Sequence, residues 1–471
     1  MDELLDRPLS EIATAIRDGK VASSRIVRAF LDRIESVNPD LNAVVYSTAE
    51  LAMKYAAKCD AELANGSLRG PLHGVPMTIK DSLDTSDAIT TWGTTGRKDF
   101  RPGRDATCVR RLKDAGAILM GKTNTPEFTL WFQTDNLIYG RTNNPFDLDR
   151  TPGGSSGGAA AIIAAGASPF DIGTDTGGSI RLPSHFSGIA GIKPTTGRVP
   201  CTGNALPSSG LLAPLSQPGP LARYVEDLAL VLELIKGPDL IDPNAVEAVW
   251  HPPMDVDVTS LRIGFHSDNG IRAPMAEISL VITRVCDLIR DEGLPVTEVR
   301  PPGIEMTDLI MSRVFTADSG DMLDALVEDC RTTEPTERVK RSLARPPLDI
   351  SPREFAQILT LWDNYRSSML GYFEDFDILL CPVNANTALL HGTEEDLKDY
   401  SYTTAFNLTG WPGTVIRAGT DSKGLPIGLQ IVARPFREDH CLALAHWLEQ
   451  RLGPFPAPLI SAVNQPAVSH V

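Results

Sequence analysis

No stretch of this 471-residue chain holds the roughly 20 uninterrupted apolar residues that a membrane-spanning helix requires, so no membrane partner is expected. Its start, Met1-Asp2-Glu3-Leu4-Leu5-Asp6-Arg7, lacks the basic segment and apolar run of a secretory signal, and a cytoplasmic location is the expectation. Positive charge is scarce too. Lys and Arg number 44 against 60 Asp and Glu, a net charge of −16. Affinity for phosphate backbones comes from neutralising Lys and Arg, so a nucleic-acid partner is not expected. The seven cysteines (59, 108, 201, 286, 330, 381 and 441) are scattered and free of CxxC spacing. They argue against a disulfide framework and a zinc site, suit a reducing compartment, and read as small buried hydrophobes. Of eight histidines, only His73 and His185 lie near the serine-bearing motifs below, and no G-x-S-x-G elbow presents a serine to either. A Ser-His-Asp triad is therefore disfavoured. Internal repeats and low-complexity tracts are absent.

What is present is a globular composition, 42% hydrophobic and 22% charged, in a chain long enough for two domains or one large unit with insertions. Ser10 can cap a short helix that Gly19 ends. Ser23 or Ser24 opens a second, with Ile26, Val27, Phe30, Leu31, Ile34 and Val37 along one face and a stop before Pro39. Asn42 to Tyr46 reads as a strand, and an Ala-rich helix runs to about Ala64. From residue 71, short apolar runs broken by Gly, Pro, Asn and Thr alternate with helices such as Thr107 to Ala115 and Ala159 to Ala165. That alternation predicts an α/β fold around an internal sheet.

The expected division has four parts. Residues 1–70 form a helical segment packing on the core, and 71–235 hold the core with the candidate site. Residues 236–355 form a variable, lid-like insertion with proline-rich stretches at His251-Pro252-Pro253, Arg300-Pro301-Pro302 and Arg345-Pro346-Pro347. A strand at Leu261 to Phe265 and a helix from about Met275 to Glu292 fall within it. Residues 356–471 return to the same core, with strands in Phe376 to Pro382 and Gly413 to Val432 and a last helix from Asp439 to Leu452.

Two glycine-rich segments carry serines: Gly153-Gly154-Ser155-Ser156-Gly157-Gly158 and Asp175-Thr176-Gly177-Gly178-Ser179-Ile180-Arg181. Such stretches can aim backbone N–H groups at an oxygen gathering negative charge. Upstream, Lys80 ends the apolar run Val75-Pro76-Met77-Thr78-Ile79. A serine with a partly desolvated lysine as base performs acyl transfer without histidine. Each piece has a plainer reading alone: a flexible connector for either loop, a surface lysine for Lys80. A decoy is also present, since Gly116-Ala117-Ile118-Leu119-Met120-Gly121-Lys122-Thr123 fits the G-x-x-x-x-G-K-[ST] pattern of phosphate loops. Its four central apolar residues read as a strand, and Asn124-Thr125-Pro126 is poor material for a helix start, so the match reads as chance.

Lys80, Ser155 and Ser179, at separations of 75 and 24 positions, resemble the amidase signature family of serine hydrolases. The likeness extends from about residue 9 through Gly191-Ile192-Lys193-Pro194 to Gly424-Leu425-Pro426-Ile427-Gly428-Leu429-Gln430, with the middle region matching poorly. The resemblance implies Ser179 as nucleophile, Ser155 as a bridging serine behind a cis Gly154–Ser155 peptide, and Lys80 as base. It implies an oxyanion hole from the N–H groups of Thr176, Gly177, Gly178 and Ser179. Ser156, Asp175 and Arg181 match positions that hold the loops without joining the proton relay. Leu130, Trp131 and Phe132, with Gln133, should line the acyl pocket, although Trp131 and Phe132 read equally as core packing. His185 stands where many members have a small residue and reads as a structural or pocket-rim side chain.

The implied fold is a single α/β/α unit with a large twisted mixed sheet and no cofactor or metal. The implied reaction is hydrolysis of small, rather hydrophobic amides, with anilides and carbamates as extensions, by a monomer or homodimer. The alternative is the glutamine-hydrolysing component of a glutamyl-tRNA amidotransferase. Members of that kind carry small polar residues where this chain has Leu130, Trp131 and Phe132.

Overall fold

Short apolar runs fold as strands here because most are covered on both faces, which removes any need for alternation. The computed structural model describes residues 2–346 and 350–461; residues 347–349, in the third proline-rich stretch, lie outside the described residues. A three-stranded sheet joins β1 (Val44–Ser47), β2 (Pro76–Lys80) and β3 (Ile118–Thr123) in the order β1-β3-β2. A small ribbon follows, β4 (Asp135–Asn136) with β5 (Gly140–Arg141). The large sheet begins with β6 (Phe170–Asp175), β7 (Ala190–Lys193), β8 (Gln217–Ala222), β9 (Ile263–Phe265) and β10 (Val296–Glu298). It is completed by β11 (Ile378–Pro382), β12 (Gly413–Thr420) and β13 (Pro426–Ala433). The order β10-β9-β11-β13-β12-β7-β8-β6 makes it eight-stranded. β9 runs parallel to β10 and β11 while the remaining pairs are antiparallel, so the sheet is mixed, as expected.

The strands that matter for the site, β2, β3 and β6, are buried at every position. One continuous core ties the N-terminal helices to both sheets, running from Leu9, Ile12 and Phe30 through Met77 and Ile79 to Leu429 and Ile431. The helix Gly157–Ala164 has no polar face and is buried through residue 163, which is why its Ala- and Ile-rich sequence shows no amphipathic period.

One expectation needs correction. The helix from Ser23 runs through Pro39 to Leu41 and stops at Asn42, which takes a left-handed φ of 49°. Proline in a last turn forfeits one hydrogen bond, and the buried Val37 and Leu41 on either side hold the turn in place. Part of residues 236–355 joins the main sheet. β9, the helix Ala276–Asp291 and β10 belong to the main sheet and its covering layer, with β9 paired to β11 over a hundred residues away. The strand expected at Leu261 to Phe265 is β9; its pairing with β11 is what the linear pattern does not carry. Of the helices that follow, Thr307–Thr316 packs on Leu379 and Val432 of the sheet, and Asp321–Asp329 and Glu337–Leu343 pack with Phe128 and Leu206.

Candidate active site

Lys80 is the last residue of β2, Ser155 lies in the loop that opens helix Gly157–Ala164, and Ser179 lies between β6 and helix Arg181–Ser187. All three are buried, at 0%, 1% and 6% exposure. The Gly154–Ser155 peptide is cis. Lys80 Nζ donates to Ser155 Oγ at 2.6 Å and to Thr174 Oγ1 at 2.9 Å. Among the described residues it makes no ion pair. Burial therefore dominates and pulls its pKa from the ordinary lysine value down to about 7, against the opposing charges of Asp175 and Asp171. A neutral amine held on a hydroxyl is able to accept its proton.

The two serine loops are laced by the Ser156 N–H, which donates to the Ser179 carbonyl at 3.2 Å. The Ser179 hydroxyl bonds no described residue. The structure thus closes the Lys80–Ser155 link of the expected relay and leaves the Ser155–Ser179 link open. Thr174, the second partner of Lys80, stands one residue ahead of the DTGGSIR motif, where nothing in the linear pattern marks it.

The loop around Ser179 is built on Asp175. Its carboxylate accepts from the N–H groups of Gly178 at 2.9 Å and Ile180 at 3.1 Å, from Arg181 Nη2 at 2.9 Å and Nε at 3.0 Å, and from Asn407 Nδ2 at 2.8 Å. Burial alone would raise this carboxyl; the Arg181 guanidinium overcomes it and holds it well below the usual carboxylate range. Arg181 in turn donates to Thr403 O, Gln430 Oε1 and Asn407 Oδ1. Asn407 gives no signal in the sequence, whereas Gln430 ends a segment that carries the family resemblance. One expectation changes: the Gly178 N–H is committed to Asp175 and is not free for an oxyanion. The N–H groups of Thr176, Gly177 and Ser179 donate to no described residue. Ser156 Oγ lies 3.4 Å from both the N–H and the carbonyl of Thr174.

The segment 130–133 packs across both loops. A Cβ on Gly154 would meet the Phe132 carbonyl carbon at 2.7 Å, so only glycine lets the two backbones approach this closely. The Phe132 ring lies against Gly177, 3.3 Å from where a Cβ would stand, and stacks on Tyr400 with centroids 3.8 Å apart. Trp131 is tilted beside it at 5.9 Å, and Arg338 covers the indole face. Leu130 turns instead toward a hydrophobic cluster that includes Phe128, Leu206 and Leu326.

The remaining candidates resolve as structural. Lys122 of the phosphate-loop pattern sits in buried β3, where Nζ donates to Leu83 O, Thr85 and Thr90 and lies 3.9 Å from Asp81. His185 is fully buried, not at a rim: Nδ1 accepts from the Gly428 N–H, Nε2 donates to Asn386 O, and burial lowers its pKa to about 4. Cys59, Glu62 and His73 bring potential metal ligands within 4.8 Å of one another. Both His73 nitrogens and both Glu62 oxygens are, however, already hydrogen-bonded. All seven cysteines are free and buried, and no helix among the described residues is long and apolar enough to cross a membrane.

Comparison with known proteins shows the family. The amidase family model matches residues 25–442. The chain is 34% identical to a glutamyl-tRNA(Gln) amidotransferase subunit of Heliobacterium modesticaldum, covering 92% of this chain and 94% of that one. It is also 34% identical to an indoleacetamide hydrolase of Bradyrhizobium diazoefficiens, covering 94% and 86%. Among solved structures it superimposes on a bacterial aryl acylamidase of the amidase signature family with TM-score 0.85, 27% identity and coverage of 98% and 99%. The chain belongs to the amidase signature family and is a hydrolase of carbon–nitrogen bonds.

Proposed function

We propose that this chain hydrolyses small amides with hydrophobic or aromatic acyl groups, anilides and carbamates included, through an acyl-enzyme on Ser179. The observation that carries the reading is the buried Lys80 amine, bonded to Ser155 at 2.6 Å and poised near neutrality. In this reading Lys80 takes the Ser155 proton while Ser155 takes that of Ser179, whose oxygen attacks the carbonyl. The N–H groups of Thr176, Gly177 and Ser179 receive the developing oxyanion; each such donor is worth about 2.7–4 kcal/mol in other hydrolases. Ser155 then returns a proton to the departing nitrogen, the step that limits amide cleavage, and water frees the acyl group.

The apolar wall of Phe132, Tyr400 and Trp131 supports hydrophobic acyl groups, and the indoleacetamide hydrolase and aryl acylamidase relatives act, by name, on aromatic amides. The equal identity to an amidotransferase component keeps glutamine as the second reading. Purified chain assayed alone with an aryl amide and with glutamine separates them: turnover of glutamine only would sink the first. Ser179→Ala should lower kcat by about 10⁶-fold, the scale of nucleophile removal in serine hydrolases, and a sulfonyl fluoride should label Ser179. Label on any other serine refutes the assignment.

A further inference from the structure

The outer end of the candidate acyl site carries hydrogen-bonding groups that the protein does not use. Trp131 Nε1 is buried without a partner, and so is Glu395 Oε2, on the loop ahead of Tyr400. The other Glu395 oxygen accepts from Gln133 Nε2 at 2.6 Å, which pins this carboxylate beside the 130–133 segment. Arg338, on helix Glu337–Leu343, lays its guanidinium over the Trp131 ring, 3.1 Å from the centroid. Among the described residues that guanidinium makes no hydrogen bond and no ion pair. Burial lifts the Glu395 carboxyl above its ordinary range, against the pull of Gln133, Tyr400 and Arg338.

A buried donor or acceptor left unmet costs about 1–3 kcal/mol, so such groups cluster where something else completes them. Here one cluster holds a buried unmet donor, the indole N–H, a buried unmet acceptor, Glu395 Oε2, and beside them the cation of Arg338, a residue exposed to solvent. A carboxylate would satisfy the donors but face Glu395. An ammonium would satisfy Glu395 but face Arg338. A neutral carboxamide offers its carbonyl to the donors and its N–H to the acceptor. We propose that Trp131, Arg338 and Glu395 read a second carboxamide at the far end of the acyl chain, which makes aliphatic diamides a preferred class among the amides this site takes. The inference rests on the amidase reading above: one amide lies at Ser179, the methylene chain against Phe132, and the other amide at this rim.

The test measures binding apart from chemistry. Dissociation constants for a series of aliphatic diamides, their monoamide analogues and their carboxylate-ended analogues are taken on Ser179→Ala, and hydrolysis of the same compounds is followed with the native chain. The best diamide should bind about tenfold more tightly than its monoamide, the worth of one or two net hydrogen bonds. Arg338→Met and Trp131→Phe, which keeps the ring and removes the N–H, should each pull that ratio toward one. Equal constants for diamide and monoamide, a ratio that survives both substitutions, or tighter binding of the carboxylate would each overturn the proposal. Hydrolysis of both compounds with equal constants would sink the subsite and leave the amidase reading standing. A tenfold ratio that both substitutions abolish, with no hydrolysis of any compound, would do the reverse.

Discussion

Raising the pH from about 6 to about 8 should increase kcat/KM about tenfold, because a base with pKa about 7 goes from one-tenth to nine-tenths neutral over that interval. The magnitude comes from the burial of Lys80, which outweighs the charges of Asp175 and Asp171. A chromogenic anilide under conditions where acylation limits the rate gives the profile directly. The same group leaves a mark on stability. Its folded pKa lies below the unfolded value of 10.5, so between about 7 and 10.5 the unfolded chain holds a proton that the folded chain does not. Folding stability should therefore rise with pH across that window, by about 1.4 kcal/mol per pH unit for this one proton. Below the window the cost of burying the ammonium is fully felt. Lys193 and Lys122, buried and lowered to about 7 and about 8, act in the same direction. Only the difference between the native chain and Lys80→Met isolates Lys80, and urea titrations over the alkaline range supply it. A flat rate profile with acylation limiting, or identical pH slopes for the two proteins, would refute the argument.

Two further outcomes follow from the same electrostatics. Asp171 is buried, accepts from Thr123 through Oδ2 and leaves Oδ1 without a partner. Burial raises the Asp171 carboxyl to about 7, so it is partly ionised where Lys80 titrates. Asp171→Asn should remove that partial charge, which favours the ammonium, and shift the kcat/KM midpoint to lower pH; a midpoint that stays or rises counts against the coupling. Arg181→Met should destabilise the fold by about 3–5 kcal/mol, because it strands the buried Asp175 carboxylate without its guanidinium. A loss under about 1 kcal/mol in chemical denaturation would show that Asn407 and the backbone donors suffice.

Much of the candidate site is legible in the chain because its pieces are short and contiguous. GGSSGG and DTGGSIR each hold their serine, their turn glycines and the start of the following helix within a few residues. Linear reading fails where the deciding partner is remote or the chain changes direction. Gly178 reads as an oxyanion donor because the Asp175 carboxylate folding back onto it is not visible in a linear motif. Leu130, Trp131 and Phe132 read as one pocket-lining run, yet the chain turns there, with Phe128 and Thr129 at φ of 53° and 62°, and sends Leu130 to a different cluster.

Lysines 80, 122 and 193 show where the boundary lies. Each lies at or near the end of an apolar run, and strands β2, β3 and β7 carry all three into the core. Burial, which follows from local hydrophobicity, depresses all three amines. What distinguishes them is what stands opposite. Among the described residues Lys122 meets the Leu83 carbonyl, the Thr85 and Thr90 hydroxyls and Asp81, Lys193 meets the carbonyl of Pro194, and Lys80 meets the Ser155 hydroxyl of the glycine-rich loop. That partner arrives from 75 residues away through the packing of helix Gly157–Ala164 against the sheets. A proton acceptor is defined by the donor it touches, and contact across that distance in the chain is a property of the folded molecule.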